Sequence, residues 1–206
     1  MMEALYPFLS DQRSEVDTLA QVAESTREKI RDAIALRDRV FEADSARLAD
    51  CAEAMAERFA RGGRLLAFGN GGSSTDAQDL ASLFVSAAHP LPAIGLTNDI
   101  AVITALSNDV GFDVVFSRQI ATFGRTGDIA VGLSTSGSSA NLGPAFAEAR
   151  RRGLLTVGFA GGDGGAMAAS RDIDHLFVVP SSSVHRIQET QTTLYHVLWE
   201  LTLELL

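Results

Sequence analysis

The chain has 206 residues, 46% hydrophobic, 7% aromatic and 21% charged, ordinary values for a folded globular protein that exclude collagen, a coiled-coil rod or a disordered tail as whole-chain readings. Lys and Arg number 17 against 26 Asp and Glu, a formal charge of −9, and so acidic a surface repels nucleic acid and anionic lipid unless a basic patch overrides it. The densest basic run, Arg150-Arg151-Arg152, ends a helical pattern, where cations complement the helix dipole, so no direct nucleic-acid partner is expected.

The N-terminal residues Met1-Met2-Glu3-Ala4-Leu5 lack the basic region and apolar run of a signal peptide, and no apolar stretch approaches membrane-spanning length, which predicts a cytoplasmic protein without membrane association. From Asp11 to Arg61 there is no proline or glycine, and apolar residues recur at helical spacing: Leu19, Ala20 and Ala23, then Ile30, Ala33, Ile34 and Val40. This predicts two long helices broken near Glu42-Ala43-Asp44-Ser45, with Asp44 or Ser45 as N-cap. The single cysteine, Cys51, lies in the amphipathic stretch Leu48, Cys51, Met55. It reads as a core thiol, since one cysteine makes neither an intramolecular disulfide nor a cysteine-based zinc site.

After Gly62-Gly63 the pattern changes to short apolar runs at 64–68, 92–96, 128–133, 154–159 and 175–179. Continuous apolarity, rather than alternation, marks strands covered on both faces. Helical candidates lie between and after them, at 75–87, 100–107, 112–123 and 140–152, a short turn near 164–169, and a final helix over 184–206. Strand and helix in alternation predict a doubly wound, five-stranded parallel sheet in an α/β domain spanning 45–206, preceded by a helical extension over 1–44.

Ligands of open parallel sheets bind beyond the carboxyl ends of the strands, and two such loops are unusual. Gly69-Asn70-Gly71-Gly72-Ser73-Ser74 follows the first strand, and Ser134-Thr135-Ser136-Gly137-Ser138-Ser139-Ala140-Asn141 follows the third. Both combine glycines, which admit close backbone approach, with hydroxyls at the start of a helix whose free amides attract an anion. A phosphate could be held there without lysine or arginine. Neither the Walker A pattern nor the dinucleotide fingerprint is present in the first loop, which demotes NTP and NAD as ligands.

With Asn108-Asp109-x-Gly-Phe112, Gly161-x-Asp163-Gly164-Gly165 and Arg186-Ile187-Gln188-Glu189 added in order, the chain from about residue 45 to its end resembles the SIS (sugar isomerase) domain family, and within it the phosphoheptose isomerases. The resemblance implies a phosphosugar-binding domain with its site between subunits of a homodimer or homotetramer. Ser134, Thr135, Ser136 and Ser139 would wrap the phosphate, and Asn70, Gly71, Gly72 and Ser73 would line the sugar. Asn108 and Asp109 would approach from the neighbouring strand end, and Gln188 and His196 would project from the last helix.

The chain departs from this pattern on the helix after the first loop. Where the family has a His and, four residues later, a Glu proposed to transfer protons, this sequence has Asp79 and Leu83. A leucine can do no proton chemistry and reads as a core residue beside Leu80 and Phe84. His185 stands where the family has an Asp, which suggests an exchanged pair in which Asp79 orients His185. The catalytic candidates are therefore His196, His185 and Asp79. Some relatives bind zinc through the His, the Glu, the Gln and the last-helix His. Asp79, Gln188 and His196 could supply three ligands here, but without the Glu tight zinc binding is not expected. Glu189 is expected to pair with a neighbouring arginine. His89 and His175 read as a loop residue and a strand-end residue.

Two functions follow from the resemblance. One is an isomerase that interconverts a ketose and an aldose phosphate, sedoheptulose 7-phosphate and a heptose 7-phosphate, by proton transfer through an enediol. The other is a non-catalytic phosphosugar-binding or regulatory module resembling the initiator-associating protein that binds the DnaA replication initiator. Leu83 favours the second and His196 the first.

Overall fold

The computed structural model describes residues 15–206, with side chains from residue 18 onward; Met1–Leu5 and positions 11–14 of the first predicted helix lie outside the described residues. The elements are α1 (Glu15–Ala60), β1 (Leu65–Gly69), α2 (Gly72–Val85), β2 (Ala93–Gly95), α3 (Ile100–Asp109), α4 (Val115–Phe123) after a single 3₁₀ turn at Phe112–Val114, β3 (Ile129–Leu133), α5 (Leu142–Arg151), β4 (Leu155–Gly161), α6 (Gly165–Ala168), β5 (His175–Val179) and α7 (Val184–Glu204). The five strands are all parallel, in the order β2-β1-β3-β4-β5. No helix among the described residues is long and apolar enough to cross a membrane.

The strands β1, β3 and β4 are buried along their whole length, as continuous apolar runs predict. Alternate residues feed two cores. Leu65, Ala67, Val131, Val157 and Phe159 face α1, α2 and α7 with Leu48, Met55, Leu80, Phe84 and Leu198, while Leu66, Phe68 and Ala130 face α4 and α5 with Phe116, Ile120, Leu142 and Phe146. The two edge strands are less covered: His175, Leu176 and Val178 of β5 are half-buried, and β2 is only three residues long with Ile94 exposed; short edge strands limit unwanted pairing.

The predicted break at Glu42–Ser45 does not occur. One helix of 46 residues runs through it. Asp44 is buried and accepts a 2.6 Å hydrogen bond from Arg47, whose guanidinium also donates to the Leu176 carbonyl of β5 at 3.0 Å. A residue suited to capping is thus used inside the helix, because tertiary partners outweigh local propensity. Cys51 is a fully buried thiol whose ionisation burial suppresses. The basic run at the end of α5 is tied down as well: Arg151 and Arg152 reach Glu148 at 2.7 Å, and Arg150 reaches Asp174 at 3.0 Å.

At the opposite end of the sheet from the two loops, buried Asp128 anchors the start of β3. Its oxygens accept the Arg64 backbone N–H at 2.9 Å, the Arg64 guanidinium at 2.7 Å and the Arg125 N–H at 3.0 Å. Replacing Asp128 with Ala strands those donors, so the variant is expected to lose about 3 kcal/mol of stability in urea denaturation.

Candidate active site

The sheet order places a reversal between β1 and β3: the chain runs outward from β1 to β2, then returns to the other side of β1. The two loops singled out in the sequence leave these two strands at their carboxyl ends, where a parallel sheet opens its ligand crevice. Two carboxamides join them. Asn70 Nδ2 donates to Asn141 Oδ1 at 2.8 Å, and Asn141 Nδ2 donates back to Asn70 Oδ1 at 3.0 Å. The Asn70 side chain, expected to line the sugar, is therefore engaged in bridging the loops.

The serine loop is shaped from within. Ser134 is buried, and its Oγ accepts the Gly137 N–H at 3.1 Å and lies 3.2 Å from Ser139 Oγ. Gly137 has φ +63, and a Cβ there would collide with the Gly164 carbonyl, so only glycine fits. Ser136 is exposed, and Thr135 and Ser139 are half-buried. Of the four residues expected around a phosphate, Ser134 mainly sets the curve of the loop, while the other three keep access to solvent.

On the other side, α2 begins at Gly72, three residues earlier than predicted, which puts Gly72 and Ser73 in its first turn. Gly72 has no side chain because the Gln188 amide occupies that space: a Cβ would lie 2.5 Å from Gln188 Nε2. Gln188 donates to the carboxylate of Asp76, one turn further along α2. Asp79 lies on the same face. Its Oδ2 accepts a 2.8 Å hydrogen bond from the Tyr195 hydroxyl and stands 3.4 Å from His196 Nε2. Both members of the Asp79–His196 pair keep substantial exposure, 49% and 40% for the side chains, enough for a ligand to touch them. His196 opens onto a groove of about 550 Å³ between α1 and α7, lined also by Arg37, Glu189, Thr192 and Glu200.

The structure thus sets Gln188 against Gly72 at the start of α2 and His196 against Asp79 two turns further along it, and separates others. His185 is exposed in the first turn of α7, eleven residues and therefore about 16 Å along the helix from His196. It cannot share Asp79 with His196 within one chain, so the expected Asp79–His185 pair is replaced by Asp79–His196. Asn108 and Asp109 close α3, exposed and hydrogen-bonded to each other at 2.8 Å, rather than standing at a strand end. The helix continues two residues past its predicted end and takes them with it. Leu83 packs against the α1–α2–α7 core, and Glu189 pairs with Arg186, both as expected.

Three residues of the site escaped the sequence reading. Asp76 lies three before Asp79, and Tyr195 seven after Gln188, so helical spacing placed them on the right faces; an aspartate among small residues and a tyrosine in an apolar helix gave no further signal. The third, Gln191, is fully buried and donates to the Ser134 carbonyl at 3.4 Å, tying α7 to the serine loop.

The zinc set implied by the resemblance does not fit these side chains. Among the described residues no three His, Cys, Asp or Glu groups converge on one point. Leu83, half-buried against the core, offers no donor atom where the fourth ligand would stand, and Asp79 Oδ2 already accepts a hydrogen bond from Tyr195.

Electrostatics single out Asp76. Its Oδ2 is buried with no hydrogen-bond partner among the described residues. Burial pushes its pKa up to about 6, with the negative charge of Asp79 adding to the rise and the Gln188 hydrogen bond opposing it. An acid whose folded pKa is raised binds its proton more tightly when folded, so the penalty is absent below about pH 4 and complete above pH 6. Asp76→Asn removes it, and the variant is expected to gain about 2 kcal/mol over the native protein at pH 7 but almost nothing at pH 4, measured by urea denaturation at both values.

Comparison with known proteins agrees with this geometry. Residues 17–161 match the SIS domain. The phosphoheptose isomerase of Roseiflexus sp. (strain RS-1) is 43% identical over 178 residues, 84% of this chain and 89% of that protein; that of Desulfovibrio desulfuricans is 46% identical over 177 residues, 84% and 83%. Among solved structures, the phosphoheptose isomerase of Neisseria gonorrhoeae superposes with a TM-score of 0.83 at 34% identity, covering 89% of this chain and 99% of that one. A phosphoheptose isomerase from Francisella tularensis gives 0.79 at 32% identity, covering 93% and 100%. With its reversed strand order, paired loops and α2–α7 cluster, the chain belongs to the phosphoheptose isomerase family of SIS-domain proteins.

Proposed function

We propose that this protein is a phosphosugar isomerase that interconverts sedoheptulose 7-phosphate and a heptose 7-phosphate. The observation that carries the reading is that α7 brings His196 within 3.4 Å of Asp79 and Gln188 against Gly72 of the first loop. The phosphate is held by Thr135, Ser136 and Ser139 on the loop that Ser134 shapes, and the sugar lies over Gly71, Gly72 and Ser73 with Gln188 above it. Anchoring a remote phosphate converts binding energy into placement of the reacting carbons.

The reaction moves one proton between C1 and C2 and another between their oxygens. A base takes the carbon proton to leave an enediol, and returning it to the adjacent carbon completes the exchange. With leucine at position 83, the groups on hand are His196 and Asp79. The imidazole presents Nε2 to the carboxylate, leaving Nδ1 as the nitrogen free to exchange a proton with substrate. His185 is too far from this pair in the same chain, and it serves a site only if a second subunit brings it there.

The protein acts in the cytoplasm as a homodimer or homotetramer. Leu19, Val22, Ile30 and Ile34 on the first half of α1 are exposed, and a row of large apolar side chains in water is relieved by association. Leu83 favours one competing reading, a phosphosugar-binding module without catalysis.

Incubation with sedoheptulose 7-phosphate and related ketose and aldose phosphates in deuterium oxide, followed by NMR, separates the two. Deuterium is expected to enter at C1 or C2, and His196→Ala is expected to slow that entry at least 100-fold. Saturable binding with no exchange by the native protein would establish the binding module instead. Ser136→Ala is expected to raise KM roughly tenfold with little change in kcat, since a hydrogen bond to the phosphate serves ground and transition states alike.

A further inference from the structure

Tyr195 is the largest side chain in the fully buried set, 1% exposed, yet it carries a hydroxyl. A buried phenol needs an acceptor, and the one it meets is Asp79 Oδ2 at 2.8 Å. Burial raises the phenol pKa, so it remains a donor. The oxygen that Tyr195 binds is also the one facing His196 Nε2. The two rings lie nearly parallel, with centroids 5.2 Å apart and planes 28° apart, and Trp199 meets His196 edge-on at 6.4 Å.

This arrangement answers a weakness of the exposed pair. A half-exposed aspartate at the surface of α2 is free to change rotamer and take water instead of an imidazole, and 3.4 Å is a long approach with no strength to hold it. The constraint must come from elsewhere. Tyr195 supplies it from inside the protein, and because its own ring is locked by packing, the position of its hydroxyl is fixed. Occupying Oδ2 leaves Oδ1 as the oxygen able to meet a sugar hydroxyl.

We propose that Tyr195 is a positioning residue that pins the Asp79 carboxylate toward His196 and so sets the geometry of the proton-transferring pair. The proposal rests on the isomerase reading for its effect on turnover, but not for its effect on His196 itself. It is also specific to an aspartate at position 79, whose carboxylate accepts the phenol proton across α2 and α7.

The test uses the full chain with Tyr195→Phe, Asp79→Asn and the double variant. Phenylalanine keeps the ring, and a thermal melt checks that folding is retained. With sedoheptulose 7-phosphate, Tyr195→Phe is expected to lower kcat about tenfold with KM within twofold. The double variant should be no slower than Asp79→Asn alone, the signature of residues that act through one another. A merely structural tyrosine would lower the melting temperature and leave kcat in place. The second readout needs no turnover: ¹⁵N NMR of the His196 imidazole, whose tautomer balance is expected to shift in Tyr195→Phe and to shift equally in Asp79→Asn. A native protein that turns over no sugar phosphate overturns the isomerase reading and leaves the imidazole spectrum to decide this one. An unchanged His196 spectrum in Tyr195→Phe overturns the positioning role whatever the kinetics.

Discussion

Asn70 and Asn141 close on one another through two amide hydrogen bonds that join the loops leaving β1 and β3, and the crevice depends on that contact. Where the strand order reverses, the helices that follow neighbouring strands depart to opposite faces of the sheet, so nothing in the backbone ladder holds their loops together. A carboxamide has one donor side and one acceptor side, and two of them facing each other satisfy both without help from water. The glycine turn of one loop and the hydroxyls of the other are thereby held at a fixed spacing.

The second constraint is the packing of α7 against α2 and α1. Gln188, Gln191 and Tyr195 recur along one side of α7 and touch, in turn, the Gly72 turn, the serine loop and Asp79. One helix thus aligns both loops and the acidic pair. The cost lies at Asp76, a buried carboxylate satisfied on one side only and adjacent to a second negative charge. Functional sites commonly carry such uncompensated groups, because what suits a ligand does not suit the empty fold.

Strands and most helices were legible in the sequence because the two sides of a parallel sheet demand continuous apolar runs and the helices demand periodic ones. The loops were legible too, since glycine and serine clusters after strands have few other uses. What failed was decided by distant partners. Asp44 looks like a cap until Arg47 and the Leu176 carbonyl are seen beside it, and Asp79 reads as the partner of His185 until His196 is found beside it. Only the pitch of α7, which carries His185 three turns from His196, chose between them. Tyr195 and Asp76 were invisible for the same reason: each is ordinary alone and acquires meaning from a residue on another helix.

The unbroken α1 has a further consequence. Its 46 residues span nearly 70 Å, while Ala33, Leu36 and Val40 on its middle turns are buried against the body, and Arg37 between them borders the groove that holds His196. The chain therefore offers no natural seam near residue 44 at which it could be shortened, swapped with a relative or joined to another module. A cut there would sever a continuous rod and strip one wall from the cleft, since the turns from Ala33 to Val40 that lie ahead of it rest on the body instead of trailing from it.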